Sequence, residues 1–143
     1  MFKKFDTAFI RHLNARAIPW LRIALGIVFM WFGALKIIGQ SPVAALIADT
    51  YSFLPAHGFL VSLGAWEIMI GLGLLFKISL RVTLALLWLQ MLGTLVAPLL
   101  NPPLFFTHGN PFFLTTEGEF VVKNLVLIAA GLVIGGHEVE PRR

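Results

Sequence analysis

Four uninterrupted apolar windows, at residues 17–38, 60–76, 82–100 and 120–136, constrain this chain more than any other feature. A hydrocarbon core of about 30 Å takes roughly 17–25 helical residues to cross, and each window reaches that length. Apolar residues follow one another inside the windows without alternating, which fits helices and not the strands of a membrane barrel. A 58% hydrophobic and only 13% charged composition, with a mean hydropathy of +0.87, lies outside the soluble range. The expected fold is all-α: a four-transmembrane-helix bundle forming a single membrane domain over residues 1–143.

Charge reports orientation. Lys3, Lys4, Arg11, Arg16 and Arg22 precede or open the first window, Lys77 and Arg81 separate the second from the third, and Arg142 and Arg143 close the chain. The segments 39–59 and 101–119 contain no lysine or arginine. The positive-inside bias then puts both termini and the 77–81 loop in the cytoplasm, with the two long loops outside, in a bacterial inner membrane. The net charge of +4 is therefore topological, and the expected partner is the lipid bilayer, not nucleic acid. Carrying Arg22 and Lys36 and followed by no small-x-small pattern, the first window is expected to stay in the protein and not to be a cleaved signal.

Phe2, Phe5, Phe9 and Leu13 recur at helical spacing between basic residues, which predicts a short amphipathic interfacial helix over about residues 2–15. Pro19 then suits the first turn of the first spanning helix. Pro42 and Pro55 bracket an apolar piece too short to span. In the second long loop, Pro102, Pro103 and Pro111 alternate with Phe105, Phe106, Phe112 and Phe113, a density that predicts folding against the membrane surface or a partner.

Polar and small residues form stripes. In the first window Arg22, Gly26, Phe29, Gly33 and Lys36 share a face; the second aligns Gly64, Glu67 and Gly71. The third aligns Thr83, Gln90, Thr94 and Ala97, and the fourth Asn124, Gly131 and Gly135 with Lys123 on the adjoining edge. Small residues let helices approach in lipid, and polar ones prefer each other to hydrocarbon, so the stripes should face inward. Glu67 is the only charge in its window, and a lone intramembrane acid marks a functional site by default. Counting about 1.5 Å per residue sets it roughly 10 Å below the outer boundary. Lys36, Lys123, Asn124 and, nearer the midplane, Gln90 converge on the same half, predicting one polar chamber that opens outward; Arg22 is left at the inner end.

Each position has a plainer reading. Lys123 can pair with Glu119 at i, i+4, Lys36 can extend toward the interface, a Lys36–Glu67 pair can simply set helix register, and Gln90 can serve as interhelical glue. The chain has no cysteine, which removes thiolate metal sites, disulfide exchange and cysteine-ligated iron–sulfur clusters. His12, His57, His108 and His137 all lie outside the middle of the windows, so no intrinsic haem is expected. His57 and His108, with Asp49, Glu117 or Glu119, lack a fixed metal-binding spacing, and no metal site is assigned.

Three runs resemble the DoxX-like integral membrane proteins, most closely the YkgB-like branch. They are RIALGIVFMWFGALKI with Arg22, Gly26, Gly33 and Lys36, GAWEIMIGLGLLF with Glu67 and Gly71, and EGEFVVKNLVLIAAGLVI with Lys123. The similarity covers most of residues 18–136, with a trimmed first outer loop. It implies a four-helix inner-membrane protein associated with respiratory and oxidative-stress chemistry; some DoxX-like relatives are subunits of a thiosulfate:quinone oxidoreductase and others are accessory proteins. The leading expectation is an accessory protein or a non-autonomous subunit of a membrane oxidoreductase, acting with a redox partner protein or as a homo-oligomer. Its chamber would take a quinone headgroup or handle protons, with Glu67 as proton acceptor, Lys36 and Lys123 balancing charge, and Gln90 and Asn124 orienting hydrogen bonds. The alternatives are a proton-coupled solute or ion transporter acting as an oligomer, and a purely structural assembly subunit.

Overall fold

In the computed structural model, residues 2–139 are described, and among them the chain is helical apart from short connecting segments and one isolated bridge between Phe106 and Leu114. Arg142 and Arg143, and the side chains of Phe2, Lys3, Lys4 and Phe5, lie outside the described residues. Four stretches, Phe9–Ile37, Ala56–Phe76, Leu80–Leu100 and Thr116–Glu138, are long and apolar enough to cross a membrane. They form an all-α four-helix bundle, and the chain is a multi-pass membrane protein.

The N-terminal segment departs from expectation. It is not a short separate helix: α1 runs without interruption over Phe2–Ile37, 36 residues, with Pro19 inside it. No glycine or proline precedes Pro19, so nothing stops the helix earlier, and Pro19 itself removes only one backbone N–H. At about 1.5 Å per residue α1 is roughly 54 Å long against a core of about 30 Å, so its first turns project past the bundle. Phe9, Ile10 and Leu13 are exposed there beside Arg11 and Arg16.

The remaining elements are α2 (Ala44–Thr50), α3 (Ala56–Phe76), α4 (Leu80–Leu100), α5 (Pro102–Phe105), a 3-10 turn at Thr107–Gly109, α6 (Thr116–Val122) and α7 (Asn124–Glu138). Neighbours around the bundle run α1, α3, α4, α7 and back to α1. The last span, Thr116–Glu138, runs through α6 and α7 with Lys123 between them still in right-handed helical geometry, its N–H donating to the Glu119 carbonyl at 3.1 Å. Thr115 caps α6, its hydroxyl accepting from the Gly118 N–H at 3.1 Å, which starts the helix ahead of the apolar window.

Leu25, Phe29, Ile70, Leu74, Leu84, Leu87, Met91 and Ile134 fill the bundle centre. Outward, Trp31, Phe76, Val82 and Leu99 are exposed, as a lipid-facing surface requires. The bundle therefore has two ends: the short-loop end, closed by residues 77–79, and the long-loop end, where α2, α5 and α6 pack around Ala97, Phe105 and Val121. Gly118 takes part in that cap: a Cβ on it would strike the Phe105 carbonyl oxygen.

α1 and α3 approach through two reciprocal glycine pairs. A Cβ on Gly33 would lie 2.5 Å from the Gly64 carbonyl oxygen and one on Gly64 would lie 2.7 Å from that of Gly33; Gly26 and Gly71 face each other likewise, at 3.1 and 2.8 Å. Each helix spaces its glycines by seven residues, which keeps both on one face. This backbone contact sets the register of everything polar between α1 and α3.

Candidate functional site

On these antiparallel helices Glu67 sits beside Gly33 and Lys36 beside Gly64, so the two side chains meet across the glycine contact. Lys36 Nζ donates to Glu67 Oε2 at 2.6 Å, and Gln90 Nε2 on α4 donates to Glu67 Oε1, also at 2.6 Å. Lys36 and Glu67 are each 7% exposed. A carboxylate buried this deeply is tolerated only with its charge paired and its oxygens bonded, and both conditions hold here. Thr94 donates to the Gln90 carbonyl at 2.9 Å, within the same stripe of α4.

The cluster forms the polar floor of a predominantly apolar cavity of about 710 Å³ at the long-loop end. Phe29 and Phe32 of α1, Leu63 and Trp66 of α3, and Met91 and Ala97 of α4 supply its walls. Leu46, Ile47, Thr50 and Tyr51 close it from the α2 side, and Phe105 from α5. Two hydrogen bonds join elements across the α3–α4 side: Trp66 Nε1 donates to the Leu86 carbonyl at 3.2 Å, and the Tyr51 hydroxyl donates to the Gly93 carbonyl at 3.1 Å. The Tyr51 ring also rests 5.3 Å from that of Phe59, and burial pushes its hydroxyl above its ordinary pKa. Such a site can hold a molecule with a large apolar body and one polar end.

Of the five residues singled out in the sequence, Lys36, Glu67 and Gln90 meet in one hydrogen-bonded cluster. Asn124 is half-buried on the cavity wall. Lys123 reaches only the rim: its side chain is 71% exposed and its ammonium lies 3.6 Å from Glu119 Oε2, the i, i+4 pairing that competed with a role in the chamber. Asp49 in α2, His57 in the first turn of α3 and His108 in the 3-10 turn are exposed, and no group of three or more His, Asp or Glu gathers among the described residues.

Sequence reasoning passed over Thr50, Tyr51 and Phe105 as cavity residues, because their place depends on how the long loops fold back, and also Trp66, the neighbour of Glu67 on α3. It also missed the second buried charge cluster, at the short-loop end. Arg22, 6% exposed, donates through Nη1 to the carbonyls of Leu74 and Leu75 in the last turn of α3, and its Nε lies 2.8 Å from Glu138 Oε2. Lys77, the left-handed residue that ends α3, places its ammonium 3.2 Å from the same oxygen. A signal existed: Glu138 is an acid in the last turn of a helix, where the dipole disfavours it, so it needed a cation.

This cluster ties α1, α3 and α7 together beneath the core, away from the cavity. Comparison of the chain with protein-family models, with curated proteins and with solved structures finds no match.

Proposed function

We propose that this protein is a small accessory protein or non-autonomous subunit of a respiratory or redox-stress membrane system, and that its cavity holds a lipid-soluble quinone-type molecule. The observation that carries this reading is the union of an apolar 710 Å³ space with a single polar floor of Lys36, Glu67 and Gln90. An apolar tail would lie among Phe29, Phe32, Leu63 and Met91, while the ring end meets the floor. Lys36 balances the charge of Glu67 and can donate to a bound oxygen, Gln90 holds Glu67 from α4, Asn124 lies on the wall, and Lys123 stands at the rim. The DoxX-like runs in the first, second and fourth spans support the same assignment. With the termini in the cytoplasm of a bacterial cell, the cavity faces the outer half of the inner membrane.

Protein purified into nanodiscs with its native lipids should retain quinone above the level of empty discs, detected by solvent extraction and chromatography. Glu67→Gln, which keeps the shape and removes the charge, should lower retention about ten-fold, since hydrogen bonds to charged groups are worth roughly 1.5–3 kcal/mol. Absence of any quinone enrichment, with none taken up from added short-chain analogues, would overturn the proposal. Retention unchanged in Glu67→Gln would remove Glu67 from it.

A further inference from the structure

The cavity contains a hydrogen-bond acceptor with nothing to accept. The Glu67 carboxylate, ion-paired to Lys36, can only accept, so the Gln90 amide must turn its NH₂ toward it. That leaves Gln90 Oε1 buried and unpartnered on the cavity side of the bundle. Thr50, 7% exposed at the end of α2, lines the same cavity, and its Oγ1 is likewise buried without a partner. Buried polar atoms are almost always satisfied, and two orphans lining one cavity indicate that a polar group belongs there.

The two orphans differ in what they require. Oε1 of an amide accepts only, so whatever meets it must be a donor. The Thr50 hydroxyl can donate or accept and offers a second anchor. Lys36 uses one of its three N–H bonds on Glu67, which leaves the ammonium able to donate to an incoming oxygen. A hydroxyl answers both needs at the floor, accepting from Lys36 while donating to Gln90. A bare carbonyl satisfies the ammonium and leaves Oε1 unpaired.

We infer that the cavity selects a ligand whose polar end carries a hydroxyl, of the phenol or quinol type, over the same molecule ending in a carbonyl or ether oxygen. This rests on the cavity-binding reading above and specifies the form of ligand it takes. No covalent or electron-transfer step is involved; the selection is one of hydrogen bonding.

The test uses a matched pair, 4-hexylphenol and 4-hexylanisole, in which O–H is replaced by O–CH₃ and the donor is lost. Each is equilibrated with the full chain in nanodiscs, and bound ligand is measured against empty discs to remove partitioning into lipid. The phenol should bind about ten-fold or more tightly, the order expected for leaving one buried acceptor unpaired. Gln90→Met should collapse the ratio between them, whereas Thr50→Val, which removes a hydroxyl that could donate to either ligand oxygen, should leave the ratio unchanged. Should Gln90→Met fail to fold, the unaltered protein and Thr50→Val still decide. Equal binding of phenol and anisole overturns the inference while leaving the cavity as a binding site, as it would if an internal water already served Oε1. Retention of neither compound overturns both readings.

Discussion

Glu67 spends both carboxylate oxygens on neighbours from two other helices, so its charge is stabilising only while both partners stay in place. Removing one member of a buried pair strands the other, and Lys36→Met should lower stability by about 3–5 kcal/mol. The double variant Lys36→Met/Glu67→Gln should recover much of that loss, which a double-mutant cycle of unfolding in detergent would measure. Equal losses in the single and double variants would mean that the pair does not couple. Tyr51 allows a separate check. Its hydroxyl is held above its ordinary value of 10.0, so the folded state favours the neutral phenol. Its contribution is complete below that value and disappears as pH rises through the elevated one. The stability gap between the wild type and Tyr51→Phe should therefore close in the alkaline range, as read from thermal midpoints against pH. The meeting of Lys36, Glu67 and Gln90 was legible from helical depth and face, because spacing along a rigid helix converts directly into height. The fate of Lys123 was not, since a lysine stem long enough to reach a cavity also reaches Glu119 one turn away.

At the scale of elements, the α1–α3 contact governs the site. Gly33 and Gly64 meet backbone to backbone, and a larger side chain there must push the helices apart. Gly33→Leu should destabilise by about 1–3 kcal/mol through overpacking and should also separate Lys36 from Glu67. The natural chain has no cysteine, so a cysteine pair introduced at Ile37 and Val61 can report on the interface: Gly33→Leu should slow its cross-linking relative to the same pair alone. Cross-linking at an unchanged rate would show that the helices absorb the leucine without moving. The inward face of α1 was readable as a stripe, and Arg22, Gly26, Phe29, Gly33 and Lys36 are all buried. The length of α1 was misread because Pro19 was taken as a start signal, although one proline in the first turns of a span can be accommodated inside a continuing helix.

For the whole molecule, the proposed orientation makes the two ends chemically distinguishable. Single cysteines at Ser52 and His108, both exposed at the long-loop end, should react with a membrane-impermeant thiol reagent added to intact cells. A cysteine at Ser79, exposed at the short-loop end, should react only after permeabilisation. The reverse pattern would invert the topology and turn the cavity toward the cytoplasm. By itself the sequence determined four helical spans and the inward face of each, because hydrophobic length and a 3.6-residue period are local properties of the chain. Only the tertiary structure decided that Arg22 and Glu138 close the short-loop end, that α2 and α5 roof a cavity at the other, and that Gln90 turns its oxygen away from Glu67. Those outcomes depend on how residues distant in the chain share a limited number of hydrogen-bond partners in a medium without water, and no local pattern encodes that competition.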